Sequence, residues 1–174
     1  MSEEVYSELA FGGRPPSASE YYDKTIIISG LSKSLSMTGW RLGWAASTQK
    51  DIMQAIQVLH GFMTVCTSAI TQKAALLGWT PEAEAAKQYA REVYKKRGDF
   101  LVKLLKAELG LHAPSTEGAF YTMLDVRSCG DAIDVAYRCQ QTCGVAVPGR
   151  AFGTGGTRFW RSALCQTADE LARR

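Results

Sequence analysis

TIIISGLSKSLSMTGWRLGWAAS, residues 25–47, sets out the architecture of this chain. It opens with an apolar, β-branched run, Thr25 to Ile28, which Ser29-Gly30 ends, as in a buried strand of a parallel sheet. A second apolar run, residues 42–46, predicts another strand. The polar segment between the two runs holds Lys33. Because ligands in open α/β sheets bind beyond the carboxyl ends of strands, we expect a functional site at Lys33.

The residues around Lys33 suit a phosphorylated aldehyde. A lysine in a dry pocket can lose its proton and attack a carbonyl, forming a Schiff base. Ser32 supplies a hydroxyl and Arg41 a planar fork of N–H donors, and both groups suit a phosphate. Pyridoxal phosphate carries an aldehyde and a phosphate, so it matches this set of side chains. The alternative, a surface lysine beside a structural arginine, stays open on the chemistry alone.

G-L-S-K at residues 30–33, followed by M-T-G-W-R-L-G at residues 37–43, closely resembles a known signature. It is the cofactor-lysine signature of the class I/II aminotransferases, which are pyridoxal-phosphate enzymes of fold type I. The resemblance makes Lys33 the Schiff-base lysine. It makes Ser32 and Arg41 ligands of the phosphate of pyridoxal 5'-phosphate. It runs over the whole chain, but only over the C-terminal half of the family.

The start of the chain, S-E-E-V-Y at residues 2–6, resembles the family segment S-D-E-x-Y. The resemblance makes Tyr6 the tyrosine that bonds the ring oxygen of the cofactor. It places Glu3 where the family has an aspartate that pairs with the pyridine nitrogen, which is a departure. A carboxylate there keeps the pyridinium protonated, and Glu3 reaches one methylene further than an aspartate. The alternative is that Glu3 and Glu4 form a solvated acidic start.

The C-terminal part of the chain resembles the family at G-A-F-Y, residues 118–121, and at V-P-G-x-A-F-G, residues 147–153. In the following R-F-W-R-S-A, the alignment makes Arg161 the arginine that grips the substrate α-carboxylate. A guanidinium fork has the right shape for that task. Arg158 has the opposite parity on a strand and would point to the other face, and Arg150 lies on a loop. A role as a surface charge stays open for all three arginines.

The order of elements predicts an α/β protein, and the resemblance implies the C-terminal part of the fold type I large domain followed by an α+β small domain. We expect residues 1–80 to be the partial large domain with the cofactor lysine and residues 111–174 to be the small domain. Residues 81–110 should form the helix that joins the two domains in the family. Proline at the first position and glycine past the end support this helix. Gly98 inside it predicts a bend.

Apolar spacing predicts the remaining elements. The glycine-rich segment 151–156 is a loop but not a phosphate loop, because it lacks the Lys-Ser/Thr ending. The other predictions are a helix after Ser47-Thr48 that Gly61–Thr67 interrupts, a helix over 68–79, a strand over 118–124, a helix over 132–143, a strand over 145–147, a strand over 159–164, and a last helix from Thr167.

Composition excludes several classes of function. The chain has 174 residues, 46% hydrophobic and 21% charged, as in ordinary globular proteins. A net charge of +3 without a basic, aromatic-rich run argues against nucleic acid, and no stretch reaches the roughly 18 apolar residues of a membrane span. The N-terminus lacks an apolar signal core. Five scattered cysteines and two isolated histidines predict free thiols and no metal site, so we expect a cytoplasmic protein.

Several family segments are not found in the sequence, among them an N-P-x-N-P-like turn and a phosphate-binding turn at a helix start. The resemblance therefore predicts part of an enzyme that transfers an amino group between an amino acid and a 2-oxo acid. We expect a homodimer at full length, and open sheet edges and no transamination for residues 1–174 alone. Two alternatives stay open. One is another fold type I enzyme, such as a carbon–sulfur β-lyase, or the aminotransferase-like module of a transcription regulator. The other is a non-catalytic binding module.

Overall fold

A computed structural model describes residues 1–142, 147–167 and 169. The chain forms two compact units, Met1–Ala90 and a second that begins at Arg91. The border between them lies inside one long helix, which corresponds to the helix predicted over residues 81–110. Helices and strands are mixed in both units, which confirms the predicted α/β class. The division into residues 1–80, 81–110 and 111–174 stays a prediction.

The first unit contains a three-stranded sheet in the order β1-β2-β3. Strands β1, Ser2–Glu3, and β2, Ile27–Gly30, are parallel, and β3, Gly43–Ala46, runs antiparallel to β2. Gly30 pairs with Gly43, and a Cβ at Gly30 would lie only 2.8 Å from the Leu42 carbonyl oxygen. Glycine is therefore required where β2 and β3 approach each other.

Strand β2 begins two residues later than the apolar run that predicts it. Thr25 is buried, but its polar groups bond outside the ladder. Its carbonyl accepts a hydrogen bond from the Ser47 hydroxyl at 2.7 Å, and its own hydroxyl donates to the Tyr22 carbonyl. These side-chain bonds occupy the start of the run, so the strand begins at Ile27.

Two helices follow the sheet, α1 at Lys50–Thr64 and α2 at Ala69–Ala75. Helix α1 runs through Gly61 to Thr64, so the interruption predicted over Gly61–Thr67 is present but begins only at Val65. The Gly61 carbonyl accepts the N–H of Val65 at 3.1 Å, and the helix ends only where Val65 takes a φ of 60°. Leu76–Trp79, predicted as part of the second helix, form a tighter 3-10 turn instead. In this turn Trp79 packs against Trp44, with ring centroids 5.7 Å apart.

The helices of the first unit leave many apolar side chains in solvent. Contiguous exposed apolar surface is uncommon on single globular proteins, because it drives association. The exposed apolar side chains of this unit agree with the expectation that apolar faces are left open. The side chains that are more than half exposed on or beside α1 and α2 are Val58, Leu59, Phe62, Met63, Val65, Ile70, Leu76, Leu77 and Trp79.

Helix α3, Pro81–Leu109, has the predicted start and end. Gly98 is buried within it, and a Cβ there would lie 2.7 Å from the Thr116 Oγ1 and 3.4 Å from the Leu164 Cδ1. The preceding residue, Arg97, donates to the Leu164 carbonyl at 3.0 Å. Close packing therefore accounts for glycine at position 98, and the bend at this residue stays a prediction.

The second unit contains a three-stranded antiparallel sheet in the order β4-β6-β5. Its strands are β4, Tyr121–Asp125, β5, Val147–Pro148, and β6, Phe159–Ala163. Strand β4 begins later than the predicted residue 118 because Ala119 has a φ of 61°, a left-handed conformation that interrupts an extended run.

Helix α4, Ala132–Thr142, packs against this sheet. Trp160 joins the two, because its buried indole N–H donates to the Ala132 carbonyl at 2.8 Å. The core around it is made of Ala113, Leu124, Val126, Ala132, Val135, Ala136 and Trp160.

Some predictions fall outside the described residues. They are Cys143 at the end of α4, residues 145–146 of the short strand, and the last helix beyond Thr167 apart from residue 169. The helices within the described ranges include none that is long and apolar enough to cross a membrane.

Candidate functional site

Lys33 lies in the turn that leaves β2, directly beyond the carboxyl end of that strand. The turn is anchored by Leu31, which is fully buried and whose carbonyl accepts the N–H of Leu35 at 3.2 Å. Ser32 and Lys33 are partly buried. Within the part of the chain that the structure describes, neither side chain has a hydrogen bond or an ion pair. Their hydroxyl and amine are therefore available to a ligand.

Ser34, the next residue, carries an orphaned hydroxyl. Its side chain is 4% exposed, and its Oγ has no hydrogen-bond partner among the described residues. Buried polar groups in native proteins are nearly always bonded, so an orphan of this kind calls for a missing partner. A polar ligand at the Lys33 turn would supply one.

Arg41 completes the polar set at the other end of the signature. It follows a 3-10 turn, Thr38–Trp40, and one of its Nη atoms donates to the Thr38 carbonyl at 3.0 Å. Its side chain is exposed, and its remaining N–H donors have no partner among the described residues.

Backbone strain also marks the signature. Arg41 has a φ of 52° and Ser36 a φ of 55°. Left-handed conformations of non-glycine residues cost about 1–3 kcal/mol each and concentrate at functional sites. Ala119, in the G-A-F-Y segment, has such a conformation as well. Of the four positive-φ non-glycine residues described, Arg41 and Ala119 thus lie in segments that resemble the family, and Ser36 lies between the two parts of the lysine signature.

Taken together, an unpaired lysine, free serine hydroxyls and an arginine with spare donors fit a phosphorylated aldehyde. A metal ion is not suggested here. The described residues contain no group of three or more His, Cys, Asp or Glu side chains that could hold one. The set therefore fits the cofactor predicted from the sequence.

Tyr6 lies at the same edge of the sheet as Lys33. Strands β1 and β2 are parallel, with Glu3 opposite Ile28, and Tyr6 follows β1 as Lys33 follows β2. The carboxyl ends of parallel strands meet at one edge of a sheet. Tyr6 is partly buried and immediately precedes a 3-10 turn, Ser7–Leu9.

Glu3 and Glu4 have different environments, as strand alternation requires. Glu3 is exposed. The Glu4 Oε1 accepts hydrogen bonds from the Ser17 hydroxyl at 2.9 Å, the Ala18 N–H at 3.0 Å and the Ser2 hydroxyl at 3.2 Å. Desolvation opposes its charged form, but these bonds outweigh it and lower the pKa of the Glu4 carboxyl. A solvated acidic pair is therefore wrong for Glu4, while Glu3 stays a candidate for the ring nitrogen.

Sequence analysis did not single out Lys87, on helix α3. Its side chain is only 2% exposed, and its Nζ lies 2.8 Å from the Glu8 Oε1. Glu8 belongs to the turn Ser7–Leu9, directly after Tyr6. In sequence Lys87 is one more lysine of a polar helix, and no local pattern predicts that it is buried.

Arg161 lies in the second unit, on the central strand β6, between Met123 of β4 and Val147 of β5. Its Cζ is 4.2 Å from the centre of the Tyr121 ring and 4.0 Å from the centre of the Phe152 ring. Guanidinium groups stack favourably on aromatic faces. The structure thus brings together the last residue of G-A-F-Y, the phenylalanine of V-P-G-x-A-F-G, and the predicted carboxylate arginine.

Arg161 has no acidic partner among the described residues, so its N–H fork is available to a carboxylate. Arg158 lies in the turn before β6 rather than in the strand, so the parity argument from sequence does not apply to it. The side chains of Arg158 and Arg150 are both exposed, and within the described ranges neither has a ring contact of the kind seen at Arg161.

The loop that carries Phe152 is closed by two glycines. Gly149 and Gly156 lie so close that a Cβ on either would overlap the backbone of the other. Two 3-10 turns, Gly149–Phe152 and Thr154–Gly156, form between them. The glycine-rich segment is therefore a compact loop that presents Phe152 to Arg161.

Comparison with known proteins agrees with these features. A sequence model of the family described as "Aminotransferase class I and II" matches residues 1–173. A Bacillus subtilis protein named "Probable N-acetyl-LL-diaminopimelate aminotransferase" is 39% identical over 98% of this chain and 44% of its own length. The "Aspartate aminotransferase" of Thermotoga maritima is 36% identical over the same shares of the two chains.

A solved structure gives the same result. The structure of a double mutant of Thermus thermophilus aspartate aminotransferase aligns with a TM-score of 0.88 at 30% identity. The alignment covers 98% of this chain and 44% of that one. The chain therefore spans less than half the length of the relatives that it matches.

Proposed function

This chain belongs to the class I and II aminotransferases and has their fold type I architecture, and from that premise we propose which part of the enzyme it forms. It is the part that carries the cofactor lysine and the arginine for the substrate carboxylate. The whole protein then transfers an amino group between an amino acid and a 2-oxo acid with pyridoxal 5'-phosphate. The observation that carries the proposal is the polar set beyond the carboxyl end of β2: Ser32 and Lys33, which have no side-chain partner among the described residues, and Arg41, which keeps donors beyond its bond to Thr38.

In this proposal each side chain at the edge of the first sheet has one task. Lys33 would hold the cofactor covalently through its Nζ, which would replace the aldehyde oxygen as that oxygen leaves in water. Ser32 and Arg41 bind the phosphate through a hydroxyl and a guanidinium. Tyr6 donates to the ring oxygen, and Glu3 holds the proton on the ring nitrogen. When bound, pyridoxal phosphate supplies the electron sink for amino-group transfer.

Arg161 binds the α-carboxylate of the substrate by two parallel N–H···O hydrogen bonds. Its position on a central strand limits backbone movement, and the Tyr121 and Phe152 rings limit rotation of the guanidinium plane. An amino acid and its 2-oxo acid share this carboxylate, so one arginine serves both substrates.

Two further features of the whole protein belong to the proposal: a homodimer, by family resemblance, and a cytoplasmic location. Cys66, Cys129, Cys139 and Cys165 form no disulfide among the described residues, which suits a reducing compartment. Sedimentation of the native protein at micromolar concentration and fractionation of its cells test these points. A monomer, or recovery outside the cytoplasm, would contradict them.

The activity test compares two reactions of the native gene product. Transfer of the amino group to a 2-oxo acid gives a new amino acid, whereas a carbon–sulfur β-lyase releases ammonia and a thiol from cysteine-like substrates. We expect amino-group transfer that Lys33→Ala abolishes and Lys24→Ala, at an exposed lysine of the same unit, retains. Thiol release without transfer would support the lyase instead, and the absence of both reactions would support a binding module.

A further inference from the structure

We propose that Lys87 is a positioning residue for Tyr6: its buried ammonium holds Glu8, and Glu8 fixes the turn that carries Tyr6. The inference rests on the proposed function only in assigning Tyr6 to the cofactor. The contact itself lies within the first unit and involves no ligand.

The ion pair joins two distant parts of the chain. The Lys87 Nζ lies 2.8 Å from the Glu8 Oε1 and 3.8 Å from the Glu84 Oε2. The Glu8 side chain is 31% exposed, whereas that of Lys87 is 2% exposed. Among the described residues whose side chains are fully buried, Lys87 has the largest side chain. The lysine is thus enclosed, and its charge is directed at the turn after β1.

The turn beside Tyr6 is held at several points. The Tyr6 carbonyl accepts the N–H of Leu9 at 2.9 Å, and Leu9 is fully buried. On the strand side, the Ser7 N–H donates to the Glu4 carbonyl at 3.1 Å, and the Glu4 side chain is itself bonded to the loop at Ala18. The Glu8–Lys87 pair ties this turn to helix α3.

Stability alone is a weak reason for a lysine at this position. Enclosing an ammonium costs free energy that its partner only partly returns, and well-packed apolar residues often serve as well or better. A charged pair differs from apolar packing because it is directional, so it selects one orientation of the turn. The turn holds the residue assigned to the cofactor ring, where small displacements affect chemistry strongly.

The first test measures the stability of the turn directly, with no cofactor present. Amide hydrogen exchange of the native protein reports opening of the Leu9 N–H···Tyr6 carbonyl bond. In Lys87→Met we expect exchange at residues 6–10 to become at least about tenfold faster, with β2 and β3 unchanged. Lys95→Met is the matched control, since it breaks an exposed pair with Asp99 on the same helix. Wild-type protection at residues 6–10 in Lys87→Met would overturn the inference.

A second variant covers the case in which Lys87→Met does not fold. Glu8→Gln keeps the shape of the side chain and removes its charge, so the same residues should exchange faster, by a smaller factor. Lys87→Arg keeps the charge and should retain more protection than Lys87→Met. Equal protection in wild type and Glu8→Gln would overturn the inference if Lys87→Met cannot be purified.

A third measurement asks whether the effect passes through Tyr6. The absorbance of bound pyridoxal phosphate is titrated with pH in wild type, Lys87→Met, Tyr6→Phe and the double variant. We expect Lys87→Met to shift the midpoint in the wild-type background and to have no further effect with Tyr6→Phe. Equal shifts in both backgrounds would show a general structural effect and contradict the inference. Wild type without a cofactor spectrum would refute the proposed function instead, and the exchange test would still decide the role of Lys87.

Discussion

The guanidinium carbon of Arg161 lies 4.0 Å from the centre of the Phe152 ring, although the two residues belong to different elements. Arg161 is in the central strand β6, and Phe152 ends the first 3-10 turn of the glycine-closed loop. A cation over an aromatic face at a partly exposed site gains about 0.5–1 kcal/mol. That energy is enough to favour one orientation of the guanidinium plane before substrate arrives.

Removal of the Phe152 ring should allow the Arg161 guanidinium to take more orientations. We expect Phe152→Ala to weaken amino-acid binding about two- to fivefold, the equivalent of one lost cation–π contact, with little change in cofactor retention. Titration of the cofactor-loaded native protein with substrate measures the effect. Tyr137→Ala is the control, because Tyr137 is an exposed ring of the same unit. Equal losses in both variants would contradict the role of Phe152.

Loss of Arg161 itself should have a much larger effect. Removing one partner of a desolvated charged pair costs about 2–5 kcal/mol, so Arg161→Ala should weaken amino-acid binding about thirtyfold or more. Retention of pyridoxal phosphate should stay near the wild-type level. Arg158→Ala serves as the comparison, and we expect it to bind substrate normally. The reverse pattern would show that the alignment of β6 with the family is wrong.

The Glu4 carboxylate should stabilise the first unit in a pH-dependent way. Its pKa in the folded protein is lowered, so its contribution is present above the pKa of an unfolded glutamate, about 4.3, and is lost as the pH falls through the lower folded value. We expect Glu4→Gln to lose about 1–2 kcal/mol at pH 7, and the difference from wild type to shrink as the pH falls through the lowered pKa of folded Glu4. Chemical denaturation across pH without cofactor measures the difference. Glu3→Gln, at the exposed neighbour, is the control and should have the wild-type free energy of unfolding at every pH. If Glu4→Gln were less stable than wild type by the same amount at all pH values, the contribution of Glu4 would not come from its charge.

The closure of the Phe152 loop should depend on Gly149 and Gly156. Each lacks room for a Cβ, so Gly156→Ala should destabilise the second unit by about 1–3 kcal/mol and weaken amino-acid binding as Phe152 moves away. Gly155→Ala is the matched control, since a Cβ there has open space and a permitted φ. Thermal unfolding of the two variants side by side gives the answer. A Gly156→Ala protein as stable as Gly155→Ala would show that the loop accommodates the added methyl group and would contradict the prediction.

Much of the fold could be predicted from local signals. The β-branched run and its Ser29-Gly30 end predict β2 and the turn of Lys33, and Pro81 and Gly110 mark the ends of α3. The errors come from contacts between distant residues. Strand β2 starts late because Ser47 bonds the Thr25 carbonyl, and the close contact of Gly98 with Thr116 has no signal in the sequence.

The candidate site was predictable in its residue types but not in its contacts. The resemblance to the family assigns Arg161, yet nothing in the sequence says that Phe152 and Tyr121 lie against it, because three separate segments must fold first. Lys87 shows the same limit. Its burial depends on Glu8, seventy-nine positions earlier in the chain.

The most direct measurement is the location of the cofactor bond. The native protein is incubated with pyridoxal phosphate, reduced with borohydride and digested, and the modified peptide is identified by mass. We predict one stoichiometric adduct, on Lys33, that is absent in Lys33→Ala and retained in Lys24→Ala. A stoichiometric adduct that persists in Lys33→Ala, or wild-type labelling at another lysine, would contradict the assignment of the site.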